Sequence, residues 1–105
     1  MNFGKTITIF LIDGEPNGRM TRELSNWTGK AYKIPRIQLK ICIDRPDLNN
    51  TGVYMLFGRV PDDSTKSLVY IGEAEGIYTR LVSHLKTKDF WNEVVVFVSK
   101  GSRTK

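Results

Sequence analysis

The sequence predicts an α+β domain: a small central three-stranded sheet flanked by helices, with an N-terminal strand and helix added to it. Three observations carry this expectation. Residues 52–60 and 67–73 are two runs rich in β-branched and aromatic residues, separated by the turn-forming stretch Pro61-Asp-Asp-Ser-Thr-Lys66, as paired strands are. Ile77, Leu81 and Leu85, widened by Tyr78 and Val82, make an apolar stripe at helical spacing over residues 77–88. Val94-Val-Val-Phe-Val98 is a short continuous apolar run, which reads as a third, buried strand.

A chain of 105 residues has room for one domain with a modest core. Its hydrophobic content of 40% and charged content of 26% are ordinary for a globular protein, so a disordered or fibrous class is excluded. Cys42 is the single cysteine; it excludes an internal disulfide and a cysteine-based metal cluster, and it fits a reducing compartment. Its simplest role is a small buried apolar residue. The apolar run 7–12 is too short to span a membrane and lacks the flanks of a secretion signal, so a cytoplasmic location is expected.

From the N-terminus, residues 6–12 (Thr-Ile-Thr-Ile-Phe-Leu-Ile) read as a strand, closed by the dense turn signal Asp13-Gly-Glu-Pro-Asn-Gly18. Thr21 is placed to cap a short helix carrying Leu24 and Trp27 on one face, with Gly29 as its stop. Residues 34–44 support two readings. Ile37, Leu39, Ile41 and Ile43 alternate as in a strand, whereas Pro35 ahead of them and Ile34, Ile37 and Ile41 at helical spacing fit a helix. Asp44-Arg-Pro-Asp47 breaks either element. The strand over 52–60 is apolar on both faces, which marks a central position. Phe90 and Trp91 read as core anchors. Residues 1–50 form an extension of the same domain, and residues 101–105 a basic tail.

The net charge is +5, and the cations are unevenly spread. Lys30, Lys33, Arg36, Lys40 and Arg45 stand against one acid, Asp44, and Lys100, Arg103 and Lys105 end the chain. Clustered cations neutralise phosphates and release counterions, so nucleic acid is the partner this pattern favours, with Lys30, Lys33, Arg36 and Lys40 as candidate contacts. A merely solvated basic face gives the same pattern.

One constellation is more specific than the charge. The stretch Thr-Gly-Val-Tyr-Met-Leu-Phe-Gly (51–58) is followed by Leu-Val-Tyr-Ile-Gly-Glu-Ala-Glu (68–75) and then by Ile-Tyr-Thr-Arg-Leu-Val-Ser-His-Leu (77–85). Arg80 comes ten residues after Tyr70, and His84 four after Arg80. Singly, each tyrosine is an ordinary core aromatic and each charged residue an ordinary helix edge. In this order and spacing the set resembles the core of the GIY-YIG nuclease family over residues 51–100, with Val53 where the motif has isoleucine. The resemblance extends to Leu11-Ile-Asp-Gly-Glu-Pro-Asn-Gly18, and in bacterial relatives with that opening residues corresponding to 34–44 look helical, which favours the helical reading here.

The resemblance implies an endonuclease domain that hydrolyses phosphodiester bonds, of DNA rather than RNA. It implies Tyr54 as general base or relay, and Tyr70 as a phosphate or water ligand. Arg80 would stabilise developing charge, and His84 would pass a proton or contact the backbone. It further implies a divalent cation, Mg²⁺ or Mn²⁺, held by a glutamate on a helix beyond the third strand. No glutamate follows Glu93, so the metal ligand is not identifiable and the sequence reads as a nuclease core without its last catalytic helix. Two other readings stand beside this one: a non-catalytic nucleic-acid-binding module and a protein-interaction domain. Whether Tyr54 and Tyr70 share a face depends on a strand register that the sequence leaves open.

Overall fold

The computed structural model describes residues 7–24 and 29–99. The elements run β1 (Ile7–Leu11), β2 (Met20–Leu24), β3 (Gly29–Pro35), three short 3₁₀ turns (Arg36–Gln38, Lys40–Asp44, Pro46–Asn49), β4 (Gly52–Val60), β5 (Asp63–Ala74), α1 (Ile77–Thr87) and β6 (Trp91–Ser99). All six strands belong to one antiparallel sheet in the order β1-β2-β3-β6-β4-β5.

This corrects the expectation of a small three-stranded sheet flanked by helices. Strands β4, β5 and β6 do form one sheet, and α1 lies where its apolar stripe put it. The sheet, however, is twice as wide, and α1 is the only α-helix among the described residues. The difference lies in residues 20–35. Met20–Leu24 is a strand and not a capped helix, and Gly29 begins a strand where it was read as a stop. A helix there would rest on local propensity alone, while as strands these residues gain ladders on both sides. β3 pairs residue for residue with β6, from Gly29↔Ser99 to Pro35↔Glu93, and takes β2 on its other edge. That pairing buries Tyr32 and Ile34, and tertiary burial outweighs weak local preference. Trp27 and residues 100–105 lie outside the described residues.

Residues 36–44 form 3₁₀ turns, neither a strand nor an α-helix. Leu39, Cys42 and Leu48 from these turns are buried, while Ile37 is 93% exposed. Residues 61–66 prove to be a two-residue turn at Pro61-Asp62 followed directly by β5.

The turn after β1 is locked by its own charges. Gly14 takes a positive φ of 77° and donates its N–H to the Leu11 carbonyl at 3.0 Å. Asp13 accepts both the main-chain N–H of Arg19 (2.9 Å) and its guanidinium (2.8 Å), and Arg19 also reaches Asp44 at 3.0 Å. Hydrogen bonds from buried Arg19 push the Asp13 carboxyl down to about 2. The turn is thereby tied to the 3₁₀ segment.

One face of the sheet is covered by α1 and the 3₁₀ turns. Tyr32, Ile34, Tyr54, Leu56, Trp91, Val94, Val96 and Val98 face Leu39, Leu48, Ile77 and Leu81 there. Alternation sends Val53, Met55, Val95 and Phe97 to the opposite face. Leu81→Ala should lower unfolding free energy by about 2–5 kcal/mol, since it opens a cavity between helix and sheet. Ile37→Ala should change it by less than about 0.5 kcal/mol. Urea denaturation of both variants checks the assignment of α1 to the core.

Candidate functional site

The β4–β5 register answers the question of the tyrosine faces. Tyr54 stands opposite Gly72 and Leu56 opposite Tyr70, so Tyr54 and Tyr70 share the covered face as diagonal neighbours. Their rings stack with centroids 6.3 Å apart and 20° between planes. The two motif glycines make this possible. A Cβ on Gly72 would lie 2.5 Å from the Tyr54 hydroxyl, and one on Gly52 would lie 2.5 Å from the Phe97 carbonyl of β6. Gly72 is thus required by the Tyr54 phenol, and Gly52 by the close approach of β6.

α1 crosses this face and buries Ile77, Leu81 and His84. His84 lies three residues beyond Leu81, on the inward side of the helix, and its imidazole meets both phenols. Nε2 is 2.8 Å from the Tyr54 hydroxyl, and the ring sits edge-on to Tyr70 with centroids 5.4 Å apart. His84 Nδ1 is buried and has no hydrogen-bond partner among the described residues.

The electrostatics favour a neutral pair. Burial raises the Tyr54 pKa above that of an ordinary phenol, with the Arg80 guanidinium pulling partly the other way. Burial lowers the His84 pKa, and the nearby cations Lys88 and Arg80 lower it further. At neutral pH a protonated phenol therefore meets an uncharged imidazole. With the phenol as donor, Nε2 accepts and the ring proton sits on Nδ1. Both shifts hold the proton on the phenol in the free protein.

Arg80 is on the exposed side of α1, its Nη1 3.5 Å from the Glu73 carbonyl. It lines an open recess of about 510 Å³ with Thr51, Glu73, Ala74 and Glu75. Tyr70 is 39% exposed, and Lys88 Nζ sits 4.6 Å from its ring centroid. Tyr54 itself is 1% exposed. The surface of the site is thus Tyr70, Arg80 and Lys88, with the Tyr54–His84 pair beneath. Lys88 escaped the sequence reading, although Arg80, His84 and Lys88 recur at four-residue spacing.

The remaining basic candidates lie apart from this cluster. Lys30 is paired with Asp47 at 2.9 Å in a largely buried bridge, beside the Tyr32 hydroxyl, which donates to the same carboxylate. Lys33 is on the opposite face of the sheet, 3.2 Å from Glu93. The Arg36 guanidinium donates to the carbonyls of Leu85, Lys88 and Trp91 and stacks 4.5 Å from the Trp91 ring centroid. Its donors close the C-terminal end of α1. Lys40 is exposed near the first turn of α1, where the Tyr78 hydroxyl donates to its carbonyl.

The described carboxylates near the site do not gather into a cage for a divalent cation. Among the described residues no three His, Cys, Asp or Glu side chains converge. Glu93 is engaged by Lys33 on the far face, and Glu73 and Glu75 are exposed beside Arg80. Burial raises the Cys42 thiol pKa, which makes it a poor nucleophile and a core residue.

Because the His84 pKa is lower in the folded chain than its ordinary 6.5, the unfolded chain binds more protons around that pH. Stability should therefore be full above about pH 7 and decline as pH falls through 6.5 toward the folded pKa. The His84 ring-proton NMR titration should have its midpoint below 6.5, and Tyr54→Phe should shift that midpoint. A His84 midpoint at or above 6.5 contradicts the neutral pair. In comparisons with known proteins, no family model, curated protein or solved structure matches this chain.

Proposed function

We propose that this chain is a GIY-YIG-type endonuclease core directed at the DNA backbone, with a proton relay and phosphate contacts and with no convergent metal-ligand set among its described residues. The observation that supports it most is the 2.8 Å contact between the Tyr54 hydroxyl and His84 Nε2, roofed by Tyr70 and flanked by Arg80 and Lys88. A phenol near its ordinary pKa of about 10 is a poor base at neutral pH. Passing its own proton to a neutral imidazole as it takes one from water removes that difficulty.

The cations supply the second half of the chemistry. Arg80 offers a planar fork of donors to phosphate oxygens, and Lys88 a second positive charge. In the free protein both depress the His84 pKa. A phosphodiester bound between them neutralises that field, so His84 becomes a stronger base when substrate is present. Tyr70, exposed and stacked on Tyr54, is available to orient the phosphate or the attacking water. A cytoplasmic location accords with the single reduced cysteine.

A second reading, a nucleic-acid-binding module that does not cleave, is favoured by the burial of Tyr54 and by the missing metal donor set. Binding and cleavage separate the two readings. Fluorescence anisotropy with a short DNA duplex should show affinity that falls steeply with salt. Arg80→Ala should weaken binding and lower the salt slope by about one, while Tyr54→Phe should leave affinity within about twofold. In a plasmid-nicking assay with Mg²⁺ or Mn²⁺ the endonuclease reading predicts weak but detectable cutting. Nicking abolished by Tyr54→Phe establishes the endonuclease reading, and Glu73 is then the first carboxylate to mutate. Binding without nicking establishes the module, and salt-insensitive binding or none defeats both.

A further inference from the structure

Strand β1 is an unguarded edge. Among the described residues it ends the sheet, pairing with β2 alone. Ile7, Ile9 and Phe10 are 64%, 52% and 56% exposed. Proteins usually protect such an edge with a charge, a proline or a bulge, because its unpaired main-chain groups are a template for another strand. Ile-Thr-Ile-Phe-Leu (7–11) contains no charge and no proline, and its pairing with β2 runs without a register shift. The other edge differs: β5 carries Asp63, Lys66 and Glu73.

The direction of the free groups can be read from the ladder. Ile12 donates its N–H to the Arg19 carbonyl across from β1 at 3.0 Å. In an antiparallel strand the main-chain groups alternate sides, so Thr8 and Phe10 face β2 while Ile7 and Ile9 point their N–H and C=O outward; Leu11 points outward too, but its carbonyl already accepts the Gly14 N–H. The outward set is symmetric about Ile9. A second copy laid antiparallel against it places Ile9 opposite Ile9, Ile7 opposite Leu11, and Thr8 opposite Phe10. Ile9 then meets Ile9 through both its groups, the Leu11 N–H meets the Ile7 carbonyl, and each side-chain pair is apolar or neutral.

We propose that β1 is a self-association edge that pairs with β1 of a second copy across a two-fold axis at Ile9, joining two six-stranded sheets into one. A second copy fits better than β1 meeting β5 of a neighbour. The β1–β1 contact closes on itself, whereas head-to-tail pairing would propagate and would set an uncharged strand against a charged one. In the joined sheet Ile7, Ile9 and Leu11 of the two copies form a continuous apolar row on the face that α1 does not cover. This inference is independent of the nuclease reading, because the site lies on the other face near β4 and β5.

Sedimentation velocity over a concentration series of the full chain tests it, alongside hydrogen exchange of individual amides. The expected result is a reversible dimer, with Ile7, Ile9 and Leu11 amides gaining protection as concentration rises. Ile9→Lys should weaken the dimer by tenfold or more and leave the thermal unfolding profile of the monomer nearly unchanged. Ile9→Pro removes an outward N–H that β2 does not use and should act in the same way. If Ile9→Pro does not fold, Ile9→Lys and the exchange pattern still decide. A chain that stays monomeric at high concentration overturns the proposal. So do a dimer that survives Ile9→Lys and a dimer without protection at these three amides. A monomer that binds an added apolar peptide at the edge overturns the second copy as occupant.

Discussion

Strand β6 is the constraint on which the rest of the molecule depends. It lies between β3 and β4, and among the described residues no other strand joins the two halves of the sheet. Its even-numbered valines, Val94, Val96 and Val98, are buried under α1 and the 3₁₀ turns, so it supplies both the ladder and the floor of the core. Without it the sheet separates into a β1-β2-β3 meander and a β4-β5 hairpin, each too small to bury a face by itself. The candidate site inherits the same dependence, since Tyr54 is held opposite Val96 on one side and Gly72 on the other.

The N-terminal half reaches the site through Arg36 and not through surface charge. Its guanidinium follows β3 directly and is committed to three carbonyls around the end of α1. This fixes the end of the helix close to the Trp91 start of β6, and the Trp91 indole in turn lies 3.4 Å from the His84 carbonyl. The helix that presents Arg80, His84 and Lys88 is held by packing along its length and by an arginine at its end. An arginine so engaged contributes position, while Arg80 stands exposed on the outer side of the helix.

What could be read in the sequence was what repeats strongly. The stripe Ile77, Leu81, Leu85 and the valine run 94–98 carry their own periodicity, and the elements built on them were legible. β2 and β3 were not. Gly29 and Pro35 stand at the ends of β3 and look like breakers, and only Tyr32 and Ile34 between them show alternation; the strand exists because β6 is there to pair with it. The site divides in the same way. The four motif residues were named from their spacing, but the shared face of Tyr54 and Tyr70 follows from a register set by a two-residue turn. The diversion of Lys30, Lys33 and Arg36 into internal partners was invisible because Asp47, Glu93 and the carbonyls of α1 are distant in sequence. Lys88 was within reach of helical spacing, but it fell at the expected end of the helix.

The central strand is also the last one described in the chain. During synthesis the meander and the hairpin emerge first, each with a partly satisfied edge and an apolar face. Neither can settle into its final place until residues 91–99 have left the ribosome. Domain closure is therefore a late, nearly all-or-none event, in which a strand inserts between two waiting edges. In that interval β3 and β4 are both open to strands of other nascent copies. The yield of correctly folded protein should thus depend on how soon residues 91–99 emerge after the hairpin.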